Sequence, residues 1–298
     1  MMKRIASRIL PMVSCIKLLF IPLFLLTPMP LSADIALVHA GRIDLDGRAL
    51  PTAPNPTLPR EGKPPGILNV SQPNLQLHRT PLSPAKGTIL LFPGGGYRGL
   101  AIVHEGLNVA DFLNGLGYDV AILEYSIGKD DVTVRPQALS DATKALDLVY
   151  LHGKEYGLST DSLGVIGFSA GGHLATRLVH EKGKDVLFSD IILIYPAYLD
   201  APGGLKTEIT IPRGISPSSR FFVLIGDKDL PERVTSSQGY SEAAKAAGLE
   251  SELHLLPGIP HGFGLQPGQR GVVGSWPALL EAFLKKSDSS KSGGKGSS

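Results

Sequence analysis

Five short apolar runs, most of them parted from the next by a stretch with helical spacing, constrain this chain more than any other feature. GTILLFP (87–93), YDVAILEY (118–125), SLGVIGF (162–168), DIILIYP (190–196) and RFFVLIG (220–226) are almost free of polar residues, the pattern of strands covered on both faces. A sixth run, ESELHLLP (250–257), alternates more and suits a strand nearer a sheet edge. The segments between them, 101–116, 137–152, 170–182, 233–248 and 276–285, carry apolar residues at helical intervals, as Ala138, Ala142, Ala145, Leu146 and Val149 show. The alternation predicts an α/β fold: a mostly parallel central sheet with helices on both faces. In such sheets the chemistry gathers at the carboxyl ends of the strands, so the residues just after each apolar run are the ones to inspect.

The chain has 298 residues, 43% hydrophobic and 19% charged, enough to bury a sizeable core. Its first 33 residues have another purpose. Lys3, Arg4, Arg8 and Lys17 lead into or interrupt the apolar LLFIPLFLLTPMPLSA, which ends in small residues at Ala33, and the pattern predicts a bacterial signal peptide. Pro22 and Pro28 break the run, which argues against a lasting membrane anchor. The expected destination is the periplasm or the medium. The one cysteine, Cys15, falls in this segment, so disulfides and thiol catalysis are excluded from the mature chain. Four of the 29 basic residues are lost with it and none of the 27 acidic ones, leaving a net charge of −2 without basic clusters. That balance speaks against nucleic acid as a partner. Residues 34–66, including RALPTAPNPTLPREGKPPG, read as a Pro-rich arm, 67–286 as the α/β domain, and SDSSKSGGKGSS (287–298) as a disordered tail.

Within IGFSAGGHLA (166–175), Ser169 stands between a strand and a helix in G-x-S-x-G form. A serine there can simply cap the helix. The same corner raises a nucleophile above the sheet, where it needs a base and an acid following in the order serine, acid, histidine. His261, in the loop of LLPGIPHGFG after the last strand, is the base with the best address; His254 lies in the strand pattern, and His173 and His104 on helices. For the acid, LIGDKDLPERV offers Asp227 and Asp229. Asp229 lies further into the loop and is favoured, whereas Asp227 suits local backbone amides, and Asp200 is a third candidate. The glycines of LFPGGGYRG let main-chain amides face a developing oxyanion, with Gly95, Gly96 and Ala170 as the expected donors. A phosphate cradle is the alternative use of such a loop, but neither a G-x-G-x-x-G with its acidic partner nor a G-K-[ST] is present. Nothing calls for a metal or other cofactor.

These residues, as FPGGGYRGLAIVHEG, RPQALSDATKAL, GVIGFSAGGHLA, LIGDKDLPERV and PHGFG, resemble the α/β-hydrolases over about residues 85–285. The resemblance is to the hormone-sensitive-lipase-like esterases and especially the branch with acetylxylan esterases and other secreted bacterial carbohydrate esterases. It implies Ser169 as nucleophile, Asp229 as acid, His261 as base, and Gly95, Gly96 and Ala170 as oxyanion donors. Pro93 stands where the lipase-like group usually has histidine, and no large helical cap is expected. The loop 197–220 is short for a lid over a long acyl chain, and Tyr97, Tyr195 and Tyr198 fall at strand ends where they could meet a sugar ring. The expected activity is hydrolysis of short acyl esters, chiefly acetyl, on xylan or other carbohydrates through an acyl-serine. A peptidase or short-chain lipase of the same fold is the alternative, and a binding protein on a hydrolase scaffold a further one.

Overall fold

The computed structural model describes residues 40–199 and 214–292. In chain order the strands are β1 (Ala40–Asp44), β2 (Thr57–Arg60), β3 (Lys63–Ile67), β4 (Asn74–His78), β5 (Thr88–Phe92), β6 (Asp119–Glu124), β7 (Leu163–Phe168), β8 (Asp190–Ile194), β9 (Arg220–Gly226) and β10 (Glu250–Leu256). The helices are α1 (Asn108–Gly115), entered through a π-helical turn at Val103–Leu107, α2 (Asp131–His152), α3 (Ala170–Lys182), α4 (Pro231–Ala246), the single turn α5 (Gly271–Gly274) and α6 (Trp276–Ser292).

Eight strands form one sheet in the order β1-β4-β6-β5-β7-β8-β9-β10. From β6 to β10 every neighbouring pair is parallel, while β4 pairs antiparallel with both β1 and β6. The five apolar runs are β5 to β9, and all residues of β5, β6, β7 and β8 are buried, as strands sealed by helices require. β10 closes the far edge with a mixed pattern of buried and exposed residues. Successive side chains of a strand point to opposite faces, and β9 shows which helix covers which: Phe221 meets Tyr240 of α4, and Phe222 meets Phe283 of α6. His180 of α3 stacks on Tyr240, and Phe112 of α1 meets Trp276 of α6, so α3 and α4 share one face and α1 and α6 the other. Helix α2 starts at Asp131, six residues before the periodic pattern expected it, because Asp130 caps it by accepting the Val132 amide.

Two expectations about the ends need correction. The Pro-rich segment is part of the fold: β1 is an edge strand of the main sheet, and β2 and β3 form a separate hairpin tied to the glycine loop through Ile67 and Leu100. Polar contacts order this region. The carboxylate of Glu124, fully buried at the end of β6, accepts from Arg42 of β1 (2.5 Å), Asn55 (2.6 Å), and Asn74 (2.8 Å) and Gln76 (2.5 Å) of β4. Hydrophobic periodicity cannot register such a knot. At the other end α6 runs to Ser292, into the stretch expected to lack structure, since adding residues to a formed helix is far easier than starting one. The predicted signal peptide, Asp200 with most of the 197–220 loop, and residues 293–298 lie outside the described residues.

Candidate active site

Three loops after the strands β7, β9 and β10 bring a serine, a carboxylate and an imidazole into one line. Ser169 follows β7 at φ 51°, ψ −118°, a backbone state costly for any residue but glycine. It is held on both sides, its amide donating to Ile194 (3.0 Å) and its carbonyl accepting from Ala197 (3.0 Å). The glycines of the motif are there for space: a Cβ on Gly167 would stand 2.2 Å from the Gly171 carbonyl oxygen, and one on Gly171 2.0 Å from that of Phe92. The elbow therefore closes only with glycine on each side of it. α3 begins at the next residue and turns the positive end of its dipole toward the serine.

Ser169 Oγ lies 2.8 Å from His261 Nε2, and His261 Nδ1 lies 2.5 Å from Asp229 Oδ2. The Asp229 side chain is wholly buried, while that of His261 is 28% exposed. Burial pushes the Asp229 carboxyl up, but the hydrogen bond and charge of His261, the Leu230 amide (2.7 Å) and the Arg233 guanidinium (3.1 Å) outweigh it and hold it below the usual carboxylate range. An ionised carboxylate can only accept, so Nδ1 carries a proton, and in the neutral imidazole Nε2 then presents its lone pair to the serine hydroxyl. Asp227 is exposed and accepts from the Gly258 amide at 2.7 Å, the local use expected of it. His254 pairs with Glu252, and His173 Nδ1 bonds the Tyr97 hydroxyl at 2.8 Å.

Gly94, the first residue of the glycine loop, is wedged beside the serine: a Cβ there would be 2.8 Å from Ser169 Cβ and 2.6 Å from Glu105 Oε2. Its amide is spent on that carboxylate, at 2.7 Å. Among the described residues no hydrogen bond engages the amides of Gly95, Gly96 or Ala170, which stand next to the nucleophile in sequence or along the loop. Tyr125 fixes the start of the loop by donating to the Pro93 carbonyl at 2.6 Å.

The tyrosines divide. Tyr97 (1% exposed) and Tyr195 (0%) are buried and hydrogen-bonded inward, so their rings are not offered to a sugar, contrary to the expectation from their place at strand ends. Positive φ does not set the two apart, since Tyr198 shares it: the values are 60° for Tyr97, 38° for Tyr195 and 63° for Tyr198. Tyr198 is half-buried, with the Arg135 guanidinium 4.4 Å above its ring and its hydroxyl 3.6 Å from where a Cβ on Gly96 would lie. Of the three, only Tyr198 is partly exposed.

Sequence reasoning passed over Glu105. It is buried in the π-helical turn, and burial raises its pKa against the opposing hydrogen bonds of Tyr195 and Gly94. The only sign of it was an acidic residue at a helix start just after a glycine loop. Its neighbour His104 is also buried, with its pKa lowered to about 4 by burial and by Arg60 and Lys63.

Residues 85–191 match the BD-FAE family. Over 207 residues the chain is 27% identical to an acetylxylan esterase of Xylanibacter ruminicola, a match that takes in 62% of this chain and 42% of that protein; the chain thus spans less than half the length of this relative. Among solved structures it is similar to an acetyl ester-xyloside bifunctional hydrolase from Caldicellulosiruptor lactoaceticus, with TM-score 0.61, 26% identity, and coverage of 82% of this chain and 95% of that one. It is likewise similar to MGS-M1, an alpha/beta hydrolase enzyme from a Medee basin deep-sea metagenome library, with TM-score 0.60, 26% identity, and coverage of 72% and 92%. The fold is that of the α/β-hydrolases, without a large cap among the described residues.

Proposed function

We propose that this chain is an exported serine esterase that removes short acyl groups, chiefly acetyl, from xylan or related carbohydrates. The observation that carries the reading is the unbroken hydrogen-bonded line from Asp229 through His261 to Ser169, beside a glycine loop whose Gly95 and Gly96 amides make no hydrogen bond among the described residues. As the Ser169 oxygen attacks the ester carbonyl, its proton passes to His261 Nε2. Asp229 stabilises the imidazolium without taking the proton itself. The carbonyl oxygen gains negative charge and is met by the amides of Gly95, Gly96 and Ala170, aided by the α3 dipole. Collapse of the tetrahedral adduct releases the alcohol, protonated by His261, and leaves acyl-Ser169. Water gives a proton to the same imidazole as it attacks the acyl-enzyme; the adduct collapses, the imidazolium returns that proton to the Ser169 oxygen, and the carboxylic acid departs and loses its own proton to solvent.

The acetyl and carbohydrate preferences draw support from the relatives' own activities and from Tyr198 beside Gly96, and export from the leader pattern in residues 1–33. The test is acetate release from acetylated xylan beside turnover of p-nitrophenyl acetate, butyrate and octanoate, with Ser169→Ala as control. Acetate should be the fastest ester, xylan should be deacetylated, and a fluorophosphonate should label the parent but not the variant. An active Ser169→Ala protein, or a clear preference for octanoate, overturns the assignment.

A further inference from the structure

Among the described residues Glu105 is the buried carboxylate that touches the glycine loop, and the catalytic steps above make no use of it. Its Oε2 accepts from the Gly94 amide at 2.7 Å. Its Oε1 accepts from the Tyr195 hydroxyl at 2.9 Å, and the same hydroxyl oxygen accepts from the Gly264 amide at 2.8 Å. Gly264 lies three residues after His261. One carboxylate therefore links the loop expected to hold the oxyanion to the loop that carries the base, with Tyr195 as the intermediate.

The neighbouring contacts reinforce that link. The Leu265 amide donates to the His104 carbonyl at 2.7 Å, and Asn108 Nδ2 donates to the Leu265 carbonyl at 2.7 Å. The Gly94 carbonyl accepts from Ala101 at 2.8 Å, so both polar groups of Gly94 are held by the segment around Glu105. Tyr195 keeps φ at +38° and sets its ring edge-on to His261, with centroids 5.0 Å apart. The turn bearing Glu105 is widened: the Leu107 amide reaches back five residues to Ile102 at 2.8 Å. A π-helical turn admits an extra residue and re-aims side chains, and such turns are frequent at functional sites.

Resting on the esterase reading, we infer that Glu105 is a positioning residue: through Gly94 on one side and Tyr195 with Gly264 on the other, it holds the oxyanion loop and the histidine loop in register around Ser169. Misplacing catalytic groups by about 1 Å costs on the order of 100-fold in rate. Glu105→Ala, which cuts both links, should therefore lower kcat on p-nitrophenyl acetate by about 100-fold while KM stays within about threefold, because the loss falls on the transition state. Glu105→Gln can still accept from Gly94 and can donate to the Tyr195 oxygen, so it should recover most of that loss. Tyr195→Phe keeps the ring and removes only the hydroxyl, and serves if the alanine variant is poorly folded. It should lower kcat by roughly tenfold, again with little change in KM.

The readout is kcat and KM for the folded fraction, counted by circular dichroism well below the melting temperature. Glu105→Ala,Tyr195→Phe should be no slower than Glu105→Ala alone, since both act through one connection. A residue that merely supports the fold would lower the melting temperature and leave kcat per folded molecule unchanged, which overturns the inference. Multiplying losses in the double variant, or no recovery in Glu105→Gln, would also overturn it. An active parent with an inert Ser169→Ala and an unaffected Glu105→Ala removes this inference alone, whereas a folded but inert parent removes the esterase reading and this with it.

Discussion

Replacing Asp229 by asparagine should inactivate the protein through one proton in the wrong place. Asp229 Oδ1 already accepts from the Leu230 amide at 2.7 Å and from Arg233 at 3.1 Å, while Oδ2 faces His261 Nδ1 at 2.5 Å. In Asp229→Asn those two donors would capture the amide oxygen and leave the amide NH2 pointing at Nδ1. A donor facing Nδ1 forces that nitrogen to accept, so the ring proton moves to Nε2. An Nε2–H cannot take a proton from Ser169, although the 2.8 Å contact would look unchanged in coordinates. The same tautomer error in other serine triads costs about 10⁴-fold in kcat, which is roughly 5.4 kcal/mol of barrier. Asp227→Asn is the matched control: the side chain is exposed and among the described residues bonds only the Gly258 amide, so its effect should stay below about twofold. The assay is kcat on p-nitrophenyl acetate for both variants, with thermal melts to show that each is folded. Asp229→Asn keeping a tenth of the activity, or Asp227→Asn losing more than Asp229→Asn, would refute the reasoning.

Glu124→Gln removes the charge that gathers Arg42, Asn55, Asn74 and Gln76, and should cost about 1.5–3 kcal/mol of stability, read from denaturant midpoints; no shift would mean that the knot is idle. Stability should also fall as the pH is lowered from about 6.5 to about 4. Burial and nearby Arg42 lower the pKa of His78 to about 4, and burial with Arg177 does the same for His180. In that window the unfolded chain takes up protons that the folded chain refuses, so stability is present above about 6.5 and is lost on acidification. His78→Gln should therefore show a shallower fall in melting temperature across the window than the parent, and equal slopes would count against the assignment.

Much of this protein is legible from local pattern. Runs such as ILLF and LGVIGF are apolar end to end because helices cover both faces of the sheet, so strand type, parallel order and the strand-end location of Ser169, Asp229 and His261 follow from composition and spacing alone. The choice of Asp229 over Asp227 was also within reach, since it depends on how far along a short loop each residue stands. Three other features were not. The Pro-rich segment joins the sheet through the β1–β4 ladder and through hydrogen bonds from Arg42 and Asn55 to Glu124, which join residues up to 82 positions apart without any periodic mark. Tyr97 and Tyr195 turn inward to hydrogen-bond His173 and Glu105, partners that strand-end position does not reveal. Glu105 gains its place between two loops only when chain folding sets Gly94, Tyr195 and Gly264 around it. Hydrophobic burial writes itself into the order of neighbouring residues, because each strand or helix must show its own face to the core. A buried polar contact depends on partners remote in sequence, and only the tertiary structure brings them together.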